Sequence, residues 1–295
     1  MRSIFERLAS RCQAWLPQHL LTAFVHRLMR VRSKPVKNAQ IRLIARLAGV
    51  DWNEAASADL DDYPTFNAFF TRALKPGVRP IDPDPGSLCS PCDGRVSEIG
   101  RIDGNQLFQA KGHQYSLGQL LANDPDCAAW ETGTFFTLYL SPSDYHRVHM
   151  PIEGVLQRMS YVPGDLFSVA PYTVRHVDGL FARNERVISI FDTQAGPVAL
   201  VLVGAMLVAG METVWAGEVT PAKRREITTE HYEQPGLQLQ KGAEMGRFNM
   251  GSTVVLLLPA GTVESVSELG PGDAVRLGQV IARLRISNEG GNAHP

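Results

Sequence analysis

Gly251-Ser252-Thr253 stands directly before the apolar run Val254–Leu258. Glycine lacks a Cβ, so its carbonyl is open to attack and its backbone reaches angles closed to other residues. A serine hydroxyl one residue on can add to that carbonyl and exchange the amide for an ester. The exchange needs a base for the hydroxyl and donors for the oxyanion. Before a strand the same tripeptide is also an ordinary turn, so it decides nothing alone. A candidate base lies in LSPSDYHRVHMP at 140–151, where His146 and His149 are three apart. Such a pair can bind a metal, although no third-ligand pattern of the His-Glu-x-x-His kind stands nearby. It can equally be two satisfied structural histidines. A histidine base usually needs a carboxylate to fix its tautomer. Asp93, in the turn Ser90-Pro-Cys-Asp-Gly94, can project into a cleft, or simply form an Asx turn before Gly94. Cys89 and Cys92 have the spacing of a redox pair or half a zinc site, but no second pair completes one. The plainer reading is turn-flanking thiols.

These residues must be positioned by a β body. From about residue 88 the chain reads as short strand-forming runs parted by Pro, Gly and Asp turns. They are Gly133–Leu140, Val155–Val162, Arg186–Phe191, Val198–Met206, Thr253–Leu258 and Val275–Arg285. The expected class is α+β: a mostly antiparallel, barrel-sandwich-like β body with helices at one end. Pro91–Val96 and Pro151–Leu156 echo each other, each placing an acid and a glycine at a turn into a strand. Residues 270–284 resemble half of a biotinyl/lipoyl-type sandwich. Segment 61–81 predicts a short helix over 65–73 and then a Pro/Gly connector.

Residues 3–31 have helical periodicity. Ile4, Phe5, Leu8, Cys12, Trp15 and Leu16 form one apolar stripe, and Leu20, Leu21, Phe24, Val25, Leu28 and Met29 form another after Pro17. Arginines fill the opposite faces. Such helices lie in a bilayer interface or pack on the main domain. A third helix is expected over 39–48, ending near Gly49. Residues 1–40 carry eight Lys/Arg against Glu6 alone, or +7, in a chain of net charge −1. A basic end on a slightly acidic body points to a membrane or nucleic-acid contact. The overall balance gives no argument for nucleic acid. Four cysteines in 295 residues suit a reducing compartment. No signal peptide or spanning helix is read, so the chain is expected to stay on the cytoplasmic side.

Taken together and in order, these motifs resemble the bacterial phosphatidylserine decarboxylases. The family's Leu-Gly-Ser-Thr cleavage motif stands here as Met250-Gly251-Ser252-Thr253, preceded by Lys241–Phe248 (KGAEMGRF). Ser141–Pro151 is similar to its histidine motif and Ser90–Val96 to its aspartate motif. Phe66–Ile81 (FNAFFTRALKPGVRPI), Lys111–Leu117, Tyr161–Ser168, Phe181–Val187 and Val203–Trp215 also match. The resemblance spans residues 60–265. Met250 replaces the family's leucine, a change of similar volume and polarity.

The resemblance implies a self-processing triad of Asp93, His149 and Ser252. Asp93 orients His149, which takes the proton of Ser252 as its oxygen attacks the Gly251 carbonyl. β-Elimination of the ester leaves Gly251 as a carboxyl terminus and residue 252 as dehydroalanine. Hydrolysis then yields a pyruvoyl group and ammonia. The products are chains 1–251 and 252–295, expected to stay together. The pyruvoyl cofactor forms a Schiff base with phosphatidylserine and acts as an electron sink, giving phosphatidylethanolamine and carbon dioxide. His146 is assigned to decarboxylation and proton return, work that His149 is open to share, and no metal is required. The resemblance also implies an anionic bilayer as partner, a peripheral place on the cytoplasmic face of the inner membrane, and room for a homodimer. The expected organisation is a membrane-associating helical region over 1–60, a decarboxylase domain over 61–287, and a disordered tail over 288–295. Two other readings use the same residues. A serine hydrolase would need an intact chain, and no Gly-x-Ser-x-Gly elbow surrounds Ser252. A scaffold that had lost its chemistry would be expected to lack Ser252 or His149.

Overall fold

The computed structural model describes residues 6, 7, 10, 12–110, 112–207, 210–220, 225–232 and 236–285. Ile4, Phe5 and Leu8 of the first stripe, and the tail 288–295, lie outside the described residues.

The body is organised by the run STVVLLL. Its residues alternate between two cores: Val254, Leu256 and Leu258 enter one, and Val255 and Leu257 the other. Side chains along a strand point to alternate faces, so a strand covered on both faces needs an uninterrupted apolar run. That run is the centre of the main sheet. In chain order its strands are β1 (Gly94–Arg101), β2 (Thr134–Leu140), β3 (Gly154–Val162), β4 (Arg186–Thr193), β5 (Gly196–Val203), β6 (Thr228–His231), β7 (Gln238–Leu239), β8 (Ser252–Leu258) and β9 (Ala274–Val275). Their spatial order is β6-β3-β4-β5-β8-β2-β1-β9, with β7 also pairing β3. Every pairing is antiparallel. The expected α+β class with a mostly antiparallel β body is therefore observed; among the described residues the main sheet does not close into a barrel, because β6 and β9 end the path without meeting.

Besides a two-stranded sheet of Gln106–Ala110 and His113–Ser116, two smaller sheets accompany this one. Gly217–Glu218, Met211–Thr213, Glu244–Phe248 and Arg147–His149 form the first, and Ser87–Cys89, Val280–Leu284 and Val263–Val266 the second. The strand expected over 275–285 is thus two pieces. Ala274–Val275 joins the main sheet and Val280–Leu284 a different one, with Gly278 at φ +84° making the turn between them. Both echoed turns do enter strands, β1 at Gly94 and β3 at Gly154.

Three helices pack at one end: α1 (Gln18–Met29), α2 (Lys34–Ala48) and α3 (Phe66–Phe70). α2 starts five residues earlier than the apolar pattern implied, because Pro35 suits a first helical turn. It ends at Gly49, whose φ of +73° makes the left-handed cap. Thr65 caps α3 by accepting from the Ala68 amide. Ile41 and Ala45 of α2 meet Phe66, Phe69 and Phe70 of α3 in a separate aromatic core. α1 is attached differently. Thr22 is its buried residue, while Leu20 and Phe24, and Trp15 just before it, are 73%, 65% and 90% exposed. Met29 at its end packs on the aromatic core, and its other attachments include polar ones. Gln18 Oε1 accepts from the Leu166 amide at 2.7 Å, and Arg30 and His26 both donate to or pair with Glu218.

Candidate active site

Ser252 is the first residue of β8, in register with Leu140 at the end of β2. It is fully buried, and its hydroxyl has no hydrogen-bond partner. The segment before it is held from both sides. Asn249 donates to Glu212 Oε1 at 2.8 Å and accepts from the Asn67 side chain at 3.0 Å. The Phe248 amide donates to the His146 carbonyl at 2.9 Å, and Met250 packs on the aromatic core. Between these anchors Gly251 is open. A Cβ built there would meet the Leu140 carbonyl oxygen at 3.4 Å and His146 Nε2 at 3.9 Å.

His146 is fully buried, with its ring 4.1 Å from that of Phe70. Its Nδ1 lies 2.8 Å from the Asp144 carbonyl, which can only accept, so Nδ1 carries the proton. Nε2 is then a bare lone pair, and it has no other partner. Burial pushes the imidazole down to about 3, so it is neutral. His149 repeats the tautomer: Nδ1 donates to the Gly242 carbonyl at 2.8 Å. Its Nε2, however, accepts from the Tyr145 hydroxyl at 3.2 Å. Burial lowers this histidine too. The Tyr145 phenol, pushed up to about 12 by burial, remains a donor.

Asp93 does not make the hydrogen bond to His149 expected of it. Its carboxylate is held by Arg79, through Nε at 2.8 and 3.1 Å and Nη2 at 2.6 Å, and by the Leu277 amide at 2.9 Å. Arg79 also pairs with Glu54 at 2.6 Å. The physical reason is the planar guanidinium, which offers a carboxylate two parallel donors where an imidazole offers one. Asp93 reaches both histidines through its charge, favouring their protonated forms.

Sequence reasoning did not single out Arg79, Tyr145, Asn249 or Arg72. Three of them lie inside motifs that were noticed, Arg72 and Arg79 in Phe66–Ile81 and Tyr145 in Ser141–Pro151, but residue type alone did not reveal their partners. Cys89 and Cys92 are buried, and burial raises the Cys92 thiol well above its ordinary range. Among the described residues no group of three or more His, Cys, Asp or Glu could hold a metal, and no helix is long and apolar enough to cross a membrane.

Comparisons with known proteins agree on one family. The profile described as Phosphatidylserine decarboxylase matches residues 66–283, and one described as PSD matches 8–47. The chain is 52% identical to the phosphatidylserine decarboxylase proenzyme of Pseudomonas fluorescens over 278 residues, covering 93% of this chain and 96% of that one. It is 51% identical to the proenzyme of Pseudomonas putida over 280 residues, covering 94% and 97%. Against the proenzyme of Shewanella baltica the identity is 49% over 278 residues, covering 92% and 95%.

Proposed function

The chain belongs to the phosphatidylserine decarboxylase family, and from that premise we propose that it cuts itself between Gly251 and Ser252 and decarboxylates phosphatidylserine with the pyruvoyl group so formed. The observation that carries this reading is a buried, unpartnered hydroxyl on Ser252 beside an open glycine faced by an unprotonated imidazole nitrogen. Buried polar groups in folded proteins normally have partners. A hydroxyl left free next to a glycine carbonyl is arranged to react.

In the cut, the Ser252 Oγ–Gly251 carbon bond forms as the 251–252 C–N bond breaks, and the hydroxyl proton passes to an imidazole. His149 is the base in the first reading. It is less completely buried than His146, so taking a proton costs it less, and the nearby Asp93 charge supports the resulting cation. Tyr145 must turn away from His149 Nε2, or pass the proton along. One observation favours a second reading: the His146 nitrogen lies beside Gly251. Yet protonating an imidazole held at about 3 costs on the order of 5 kcal/mol more than protonating a free one. That makes His146 a weak base for the cut and a suitable neutral partner at the reacting centre afterwards.

Residue 252 fits the role of cofactor source, since the β8 ladder fixes it and it is fully buried. When present, a pyruvoyl group supplies a carbonyl for the substrate amine and an electron sink for loss of carbon dioxide. The protein's own part is to exclude water, hold His146 neutral and return a proton. Exposed Trp15, Leu20 and Phe24 on a basic amino-terminal region are suited to lie on an anionic leaflet, where such a substrate resides.

Intact-mass measurement of purified protein tests the cut. Two chains, 1–251 and a small chain with a blocked amino terminus, are expected; active protein showing only an intact chain would sink it. Ser252→Ala should remain whole and inactive. His149→Ala and Asp93→Asn should slow cutting, while His146→Ala should cut and then decarboxylate poorly. The opposite pattern for the two histidines would establish the second reading.

A further inference from the structure

Arg72 is a buried cation that this chemistry leaves unused. It follows α3, two residues after the Phe70 ring that stacks on His146. The side chain is 5% exposed. Its hydrogen bond to protein is a long one, Nη2 to the Ser143 carbonyl at 3.4 Å, and its Nε is buried with no acceptor. Among the described residues it forms no ion pair. The guanidinium lies 5.4 Å from the Phe69 ring centroid, a contact that covers one face and satisfies none of the N–H groups. Buried charges in proteins are ordinarily paired or hydrogen-bonded. An acceptor is therefore missing.

Arg72 lines a cavity of about 280 Å³ with Arg79, Asp93, Ser141, Ser143 and Tyr145. The acids here are already engaged. Arg79 holds both Asp93 and Glu54. Asp144 accepts from the amide and hydroxyl of Ser141 at 2.7 and 2.8 Å, and Asp51 is exposed and caps the Asn53 amide. The Ser141 hydroxyl gives its proton to Asp144 and lies 2.9 Å from that of Ser143, so what the cavity offers an oxyanion is the guanidinium of Arg72, a planar fork with unmet N–H groups. The size of the cavity suits a headgroup and not a whole lipid. Gly49, which ends α2, also lines the cavity.

On the reading that residue 252 is the reacting centre, the substrate brings two anions, a carboxylate and a phosphodiester. The carboxylate must leave as carbon dioxide, and a cation fixed on it would stabilise the ground state and oppose its loss. The phosphodiester keeps its charge throughout the reaction. We propose that Arg72 is the subsite cation that binds the phosphodiester of the lipid headgroup.

Binding to the uncut, full-length Ser252→Ala chain tests this without requiring the cut to occur. Glycerophosphoserine should bind, and adding Arg72→Gln should weaken it roughly tenfold or more. Free serine should bind weakly and equally to both chains. Inorganic phosphate should compete, but more weakly than glycerophosphoserine; equal or tighter phosphate binding would make the site one for free phosphate and overturn the assignment. In the Ser252-containing protein, Arg72→Gln should still yield two chains, which reports its folding. Its KM for short-chain phosphatidylserine should rise roughly tenfold with kcat little changed. If Arg72→Gln does not fold, Arg72→Lys, which keeps the charge but loses the planar fork, should show the same KM effect in smaller measure. Unchanged glycerophosphoserine affinity in a folded variant overturns the proposal. So does a fall in kcat at constant KM, which would mean that Arg72 acts by holding the Ser143 carbonyl and the His146 loop. A wild-type chain that never cuts would refute the self-processing reading and leave the binding result to decide Arg72.

Discussion

Replacing His146 with Asn in the uncut Ser252→Ala chain should abolish a large part of its acid sensitivity. The imidazole is fully buried and held at about 3, against 6.5 when free. Below about pH 6.5 the unfolded chain therefore binds a proton that the folded chain refuses. The sign follows from that difference. Stability is fully present above 6.5, declines as pH falls, and stops declining near 3, where the folded state also protonates. Between about pH 7 and pH 5 the loss from this one group is roughly 2 kcal/mol by linkage. The amide of the introduced asparagine could still donate to the Asp144 carbonyl, and it does not titrate. His149, also lowered by burial, is common to both chains and cancels in the comparison. Urea unfolding of Ser252→Ala and Ser252→Ala/His146→Asn at the two pH values gives the double difference directly. The double variant should lose roughly 2 kcal/mol less on acidification. Parallel stability–pH curves for the two chains would refute the claim that His146 is held neutral by burial.

Two other perturbations probe the surroundings. Arg79→Met should destabilise the fold by about 3–5 kcal/mol, because it strands the buried Asp93 and partly buried Glu54 without their shared cation; a loss under about 1 kcal/mol in urea unfolding would show that the network is not what holds Asp93. Deleting residues 1–32 should leave self-cleavage intact and sharply lower turnover on anionic vesicles, with a much smaller effect on short-chain, soluble phosphatidylserine, since Trp15, Leu20 and Phe24 contribute exposed apolar surface and not core; equal loss on the two substrates, with vesicle flotation unchanged, would return these helices to a purely structural role.

Local features of the site were legible in the sequence, and long-range partners were not. The run after Ser252 could be read as a core strand because a strand buried on both faces must be continuously apolar, and no partner need be known to see that. The short helix around 65–73 and the stop at Gly49 likewise follow from local capping and turn chemistry. The Asp93–His149 hydrogen bond was inferred from the logic of a triad, and it failed as a contact because a competitor was invisible. Arg79 lies 14 residues from Asp93 and 25 from Glu54, and no periodicity links such positions. Tyr145 was hidden for another reason. It sits four residues before His149 in a stretch that is not a helix, so spacing gives no hint that its hydroxyl meets the imidazole. Arg72 was part of a recognised motif, yet its significance is a missing partner, which only burial reveals.

The position of the proposed cut is itself a structural requirement. A chain that breaks one of its own peptide bonds keeps its fold only if the break unpairs nothing essential. Ser252 begins β8, and the ladder of that strand runs from Ser252↔Leu140 to Leu258↔Thr134 on one side and from Thr253↔Val203 to Leu257↔Ala199 on the other. A cut before Ser252 leaves both ladders whole. The small chain would also stay fastened elsewhere: β9 to β1, Val280–Leu284 to Ser87–Cys89, and the Leu277 amide to Asp93. Releasing it would expose Val254, Val255, Leu256, Leu257 and Leu258, all fully buried, at a cost of roughly 8–15 kcal/mol from apolar transfer alone. On the proposed reading Asp93 would have a second task beside its charge on the histidines. Through Leu277 it would bind the small chain to the same Arg79–Glu54 network that holds it in place, so a new terminus at residue 252 would remain aligned with His146 after the bond that once fixed it had gone.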